Sequence, residues 1–164
     1  MKCLLVATVV LSIISTSSLA DETLKFRHVQ HPTSVQTQPV GDVNGHNMML
    51  IHLPGVAFFP DGSTGRTVVL SSADSVNGTG TASGYFTLYF DDGSELEAKF
   101  TGTFNNGGTR VAQKGTFVVT GGKGRYAGAK GDGTYTGESS QSVLVTGGGG
   151  ESITYIDNVF NIKK

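Results

Sequence analysis

Two stretches near the middle of the chain alternate strictly between apolar and polar positions. Leu96, Ala98, Phe100, Gly102 and Phe104 alternate with Glu97, Lys99, Thr101 and Thr103; upstream, Phe86, Leu88 and Phe90 alternate with Tyr85, Thr87 and Tyr89. A period of two marks strands with one dry and one wet face, so residues 84–90 and 96–104 read as a hairpin. The turn sets its register. A two-residue Asp92-Gly93 loop would oppose Phe90 to Glu95 and Leu88 to Glu97, whereas a three-residue Asp92-Gly93-Ser94 loop opposes Phe90 to Leu96 and Leu88 to Ala98. Keeping apolar residues together selects the longer loop, with a bulge.

The same reading gives further strands at 24–31, at 48–53 continuing as 56–59 after a break or corner at Pro54-Gly55, and at 66–71, 115–120, 131–137, 142–146 and 153–162. Residues 32–47, rich in Pro, Gln, Gly and Asn, read as a long mobile loop, and Phe59-Pro60-Asp61-Gly62 as a turn. Gly102-Thr103-Phe104, Gly115-Thr116-Phe117 and Gly133-Thr134-Tyr135 recur at unequal spacings, each setting an aromatic on the dry face. Together these patterns predict an all-β fold, an antiparallel barrel of about eight strands.

Composition supports this. The chain has 164 residues and 24 glycines, all of them after residue 20. Interior glycines oppose helices, and no long stretch carries a 3.6-residue apolar period. Collagen fails for want of a strict three-residue glycine repeat. Residues 1–20, with Lys2, an apolar run through Ile14 and small residues ending at Ala20, have the form of a secretory signal peptide cleaved before Asp21. The expected organisation is then an N-terminal strand and mobile loop over 21–47 and a barrel domain over 48–164. The expected location is the bacterial periplasm or the cell exterior. Past the leader no apolar stretch is long enough to span a membrane.

The sole cysteine, Cys3, lies in the leader, so disulfides, thiol catalysis and thiolate metal sites are excluded from the mature domain. Twelve basic and 13 acidic side chains leave no net attraction for nucleic acid or anionic membranes. The charges are segregated: between Leu50 and Glu97 acids face Arg66 alone, whereas Lys99 to Lys130 carries bases and no acid. Salt-bridged or solvated outer faces of neighbouring strands account for this.

The segment from Gly115 to Gly137 joins two strand patterns through a glycine-dense corner. Gly122-Lys123-Gly124-Arg125-Tyr126-Ala127 fits a dinucleotide fingerprint formally, but that mechanism needs a helix to follow, and Gly128, Gly131 and Gly133 oppose one. A calcium-binding nonapeptide would need aspartate in place of Tyr126, and repetition. The run Gly121-Gly122-Lys123-Gly124-Arg125-Tyr126, followed by Gly128-Ala129-Lys130-Gly131, resembles the Gly-Gly-x-Gly-Arg/Lys-aromatic…Gly-Ala-x-Gly pattern of the allene oxide cyclase-like and dirigent-like β-barrels. The hairpin around Asp92-Gly93-Ser94 is similar to those of small exported bacterial barrels of this type. The resemblance implies a calycin-like barrel with an apolar pocket at one mouth. Known members use it for cofactor-free cyclisation, for steering phenoxy radical coupling, or for no established purpose.

Candidate chemistry is sparse. His28 and His31 have a spacing a metal could use but point to opposite faces of a strand, and no carboxylate follows until Asp42, so no metal site is expected. His52 shares a face with Met48 and Leu50, as an inward polar group or a rim residue. Asp157 shares a face with Ile153, Tyr155 and Val159; if that face is inward, its carboxyl gains a raised pKa beside Tyr155. If Thr154, Ile156, Phe160 and Ile162 face inward instead, Asp157 is solvated, and this second arrangement is preferred. No Gly-x-Ser-x-Gly context supports a serine nucleophile.

His52, Tyr135, Tyr155 and Asp157 are therefore candidates for orienting a small lipophilic ligand, and Lys123, Arg125 and Lys130 for attracting a carboxylate at the rim. No cofactor is expected, and self-association is left open. Three functions follow: a barrel binding a small lipophilic molecule, a cofactor-free isomerase or cyclase using the same pocket, and a protein-binding or inhibitory barrel acting through its loops.

Overall fold

A computed structural model describes residues 21–140 and 152–163. The expected leader and the expected strand at 142–146 lie outside the described residues. The strands are β1 (Glu22–Gln30), β2 (Ser34–Pro39), β3 (His46–Phe58), β4 (Thr64–Val76), β5 (Thr79–Tyr89), β6 (Glu95–Asn106), β7 (Arg110–Lys123), β8 (Lys130–Ser140) and β9 (Ile153–Lys163), with one 3-10 turn at Gly124–Tyr126. Each strand from β3 to β9 pairs antiparallel with the next, β9 pairs with β1, and β1 returns to β3 through Arg27↔Phe58 to Gln30↔Gly55. The result is a closed antiparallel barrel of eight strands, with β2 lying along the first half of β3.

β3 runs unbroken through Pro54-Gly55, and the expected corner is the point where it changes partner from β2 to β1. A Cβ on Gly55 would stand 2.4 Å from the Val29 carbonyl oxygen, so the close approach of β1 requires glycine there. The segment 32–47, expected to be a loop, contains β2. Its sequence Ser-Val-Gln-Thr-Gln-Pro is polar on an exposed edge, which leaves no apolar alternation to read. β4 and β5 likewise extend past the expected 66–71 and 84–90 to meet at Asn77-Gly78. Both residues have positive φ, 51° and 81°, as a type I′ turn requires. The added residues alternate as well, but with Ala73 and Ser75 inward, too small to give a strong signal.

The β5–β6 hairpin keeps the predicted faces, with Phe86, Leu88, Leu96, Ala98, Phe100 and Phe104 buried. Its register differs by two residues, pairing Leu88 with Leu96 and Phe86 with Ala98. The three-residue loop is Asp91-Asp92-Gly93, one position earlier than expected. Phe90 N–H donates to Ser94 O at 3.0 Å, and Gly93 closes the turn at φ 80°. Asp92 fixes this choice by accepting from Ser94 N–H at 2.8 Å. Phe59-Pro60-Asp61-Gly62-Ser63 repeats the construction, with Phe59 N–H on Ser63 O at 3.0 Å and Asp61 accepting from Ser63 N–H at 2.9 Å.

These two loops lie at one end of the barrel and close it, since Phe59 and Phe90 stack at 5.7 Å and Phe90 stacks on the buried Tyr126 at 5.1 Å. Deeper in, Phe160 stacks against Phe117 at 4.6 Å, Phe86 at 5.9 Å and Phe26 at 6.0 Å. This aromatic layer joins β1, β5, β7 and β9 across the barrel. Truncating Phe160 to alanine is expected to cost about 3–5 kcal/mol in denaturant unfolding, whereas Thr101→Ala on the outer face changes stability by less than about 0.5 kcal/mol.

Candidate functional site

The opposite end of the barrel, where β1 finishes and β9 begins, contains a cavity of about 70 Å³. Phe86, Phe100, Phe117 and Tyr135 form its aromatic base, Ile51, Leu53, Val69 and Ile156 its walls, and His28, Gln30, Gln113, Ser139 and Thr154 its polar part. Tyr135 reaches this position because two facing strands carry glycine. A Cβ on Gly102 would stand 2.1 Å from the Tyr135 hydroxyl oxygen, and one on Gly115 would stand 2.6 Å from its ring. The Gly-Thr-aromatic units thus supply both the aromatic and the space it occupies.

β1 alternates Leu24, Phe26, His28 and Gln30 inward, and β9 alternates Thr154, Ile156, Asn158, Phe160 and Ile162 inward. Polar residues thereby enter the core in phase with apolar ones. His28 and Asn158 are each only 2% exposed. The Asn158 amide nitrogen donates to Phe26 O at 3.2 Å and to Ile156 O at 3.0 Å, which fixes the orientation of the amide, and lies 2.9 Å from His28 Nδ1. The two amide protons are shared among three acceptors, and the donor facing Nδ1 favours the neutral tautomer that carries its proton on Nε2. Nε2 and Gln30 Oε1 are both buried without a full hydrogen-bond partner among the described residues, as are Asn158 Oδ1 and Thr67 Oγ1 elsewhere in the core. Of the first two, Nε2 is a donor and Oε1 an acceptor, on neighbouring inward positions of one strand.

Burial pushes the His28 pKa down to about 4, against a smaller upward pull from hydrogen bonding to the Gln30 side chain, which approaches the ring without reaching full hydrogen-bond geometry. Burial also raises the Tyr135 phenol to about 12, keeping it protonated. Along the wall, the Ser139 and Thr154 hydroxyls are 2.8 Å apart, and Ser139 Oγ also accepts from Gln113 Nε2. Neither a carboxylate nor a cationic side chain lines the cavity among the described residues. No cluster of three or more His, Cys, Asp or Glu suited to a metal ion occurs among them either.

Of the residues expected from the sequence, only Tyr135 lines this cavity. His52 is on the outer face, half-buried, with Nδ1 2.8 Å from Thr33 Oγ1, because β3 turns Met49, Ile51 and Leu53 inward. Tyr155 and Asp157 are also outside, as the preferred reading of β9 had it. Asp157 forms a two-point ion pair with Arg27 at 2.7 and 2.8 Å, and those hydrogen bonds hold its carboxyl below the usual range.

Lys123, Arg125 and Lys130 stand at the closed end, away from the cavity, and each is engaged. Lys123 Nζ is 2.9 Å from Glu95, and Lys130 Nζ donates to Thr120 O at 3.1 Å. Arg125 Nη1 is 3.1 Å from Asp92, with its guanidinium 4.3 Å above the Phe90 ring. The residues missed were His28, Gln30 and Asn158. The signal for them was phase: His28 and Gln30 continue the face of Leu24 and Phe26, and Asn158 stands between Ile156 and Phe160.

The low His28 pKa has a consequence for stability. An unfolded chain takes up this proton near pH 6.5 and the barrel only near 4. Between those values the unfolded state binds more protons, so acid favours unfolding and stability is lost as pH falls through that window. His46, held between Asp42 and Asp74, has a raised pKa and acts in the opposite sense, its contribution being lost as pH rises. The difference between wild type and His28→Gln isolates the first effect. Denaturant unfolding from about pH 7 to 4 should show wild type losing about 3 kcal/mol more than the variant.

No protein-family model matches the sequence, and no curated protein matches it. Among solved structures, the chain is similar to the pterocarpan synthase dirigent protein GePTS1, with a TM-score of 0.49 and 18% sequence identity over 90% of this chain and 89% of that one. The fold itself stands on strand order and closure.

Proposed function

We propose that the barrel binds a small lipophilic molecule whose hydroxyl group docks between His28 and Gln30. The observation that carries this is the pair of buried atoms, the His28 Nε2 donor and the Gln30 Oε1 acceptor, that have no full hydrogen-bond partner among the described residues and belong to two residues lining one cavity. A hydroxyl both accepts and donates, so it answers both atoms; a carbonyl answers only Nε2. A carboxylate would enter without a cation to receive it, at a large desolvation cost. The aromatic base and aliphatic walls then favour an apolar body.

Size sets the mode of entry. A cavity of about 70 Å³ is roughly half of the ~150 Å³ that holds a benzene molecule. The molecule therefore inserts one end, a short chain or the edge of a ring, and the remainder emerges through the mouth. Binding is favoured over catalysis because His28, with a pKa of about 4, is a weak base at neutral pH, and Tyr135, at about 12, is a weak acid.

Titration with 1-hexanol and 4-methylphenol, followed by thermal shift, tests the proposal. Saturable stabilisation approaching about 2.7 kcal/mol at a 100-fold excess over Kd is expected, with hexanoate giving none. His28→Leu and Gln30→Leu should each weaken binding by about tenfold, the loss of one hydrogen bond. An absence of saturation with both probes, or undiminished affinity in both variants, contradicts it.

A further inference from the structure

The outer surface of the barrel is mainly hydroxyl and charge, as on β6, where Glu95, Glu97, Lys99, Thr101 and Thr103 point outward. β3 and its neighbours depart from this. The outward positions of β3 are Met48, Leu50, His52, Pro54, Val56 and Phe58, and pairing places Val68 beside Pro54, Leu70 beside His52 and Tyr85 beside Leu70. Leu50, Phe58, Leu70 and Tyr85 keep 54%, 48%, 48% and 58% of their surface exposed. Gln36 and Gln38 of β2 border this stripe on one side and Lys99 on the other. A contiguous apolar patch with a polar rim marks an interaction surface.

The charges at its ends indicate what it meets. Along the outward row of β4, Arg66 and Asp74 stand four residues to either side of Leu70, a distance of about 13 Å each way. A two-fold axis lying in the plane of contact and crossing β4 at Leu70 would bring two copies of β4 face to face and antiparallel. Arg66 then meets the partner's Asp74, Asp74 meets the partner's Arg66, and the two Leu70 side chains meet on the axis. The β3–β4 register extends the match, since Met48 is level with Asp74 and Val56 with Arg66, and Leu50 is level with Ser72 and Pro54 with Val68. Met48 therefore meets the partner's Val56, and Leu50 the partner's Pro54. Both charges are already placed: the Arg66 guanidinium lies 3.7 Å over the Tyr89 ring, and Asp74 is bonded to His46 Nε2 at 2.8 Å.

From this self-complementarity we infer that the β3–β4 outer face is the interface of a two-fold homodimer. The footprint between the Arg66 and Asp74 levels, across β3 to β5, is about 27 by 14 Å. At roughly 400 Å² per partner, about half the standard size, this is the footprint of a weak, transient contact, so the dimer is reversible, with a dissociation constant of roughly tens of micromolar.

Sedimentation velocity over a concentration series reads this directly. Wild type should pass from monomer to dimer across roughly 1–100 µM. Leu70→Glu should remain monomeric throughout with an unchanged melting temperature. Arg66→Asp and Asp74→Arg should each weaken self-association by tenfold or more, because like charges then meet twice. An equimolar mixture of these two variants should dimerise again, since each contact between unlike chains joins opposite charges. Wild type that stays monomeric, a trimer or larger assembly, an oligomer insensitive to Leu70→Glu, or a mixture that fails to reassociate each overturn the inference. Sedimentation of wild type with phosphatidylcholine vesicles, lost in Leu70→Glu, would do so as well, by assigning the patch to a lipid surface.

Discussion

The pairing of β1 with β3 is the contact on which the rest of the structure depends. β1 is held along its whole length by β9 and over Arg27 to Gln30 by β3, and without that second edge the sheet would remain open. Closure demands a tight approach, visible at Gly55, where any side chain would strike the Val29 carbonyl. It also fixes which side chains of β1 face the interior. His28 and Gln30 lie at the closure itself, so the strand that seals the barrel is the one that brings polar atoms into its core.

The two ends are built in opposite ways. At the closed end, two Phe-x-Asp-Gly-Ser loops and the glycine-rich corner stack Phe59, Phe90 and Tyr126 into a plug, and the Tyr126 hydroxyl donates to Glu22 at 3.1 Å. The cations of the corner have partners there. At the other end the aromatic layer stops at Tyr135, and among the described residues polar atoms are left buried without full hydrogen-bond partners. Each such atom costs about 1–3 kcal/mol. The Asn158 amide nitrogen, anchored by two carbonyls, presents a donor to Nδ1 and so biases the orientation of the imidazole. Departures from local rules of this kind support the binding proposed for this end of the barrel.

Much of the architecture was legible in the alternation, because inward positions of a closed sheet are filled by large apolar residues. The Gly-Thr-aromatic units and the inward face of β9 are examples, since Phe104, Phe117, Tyr135, Ile156, Phe160 and Ile162 are all buried. β2 and the far halves of β4 and β5 were not legible, because an edge strand and positions filled by Ala73 and Ser75 carry little hydrophobic contrast. The hairpin offset turned on Asp92, whose side chain caps Ser94 and so draws the loop back one residue. The lining of the cavity was read least well, because chemistry was sought in histidines and carboxylates as types. Arg27 neutralises Asp157 on the outer face, and His52 follows the exposed phase of β3. His28 was dismissed as half of a metal pair, although the phase it shares with Phe26 already placed it inside.

The central claim is that burial holds His28 neutral while Asn158 sets its tautomer, with Nδ1 accepting and the proton on Nε2. Long-range proton–nitrogen NMR correlation of the imidazole tests this most directly, since the two ring nitrogens report tautomer and charge separately. At about pH 5, between the free value of 6.5 and the buried value of about 4, the account predicts a neutral ring protonated on Nε2. An Nδ1-protonated ring, or an imidazolium already formed at that pH, would contradict it.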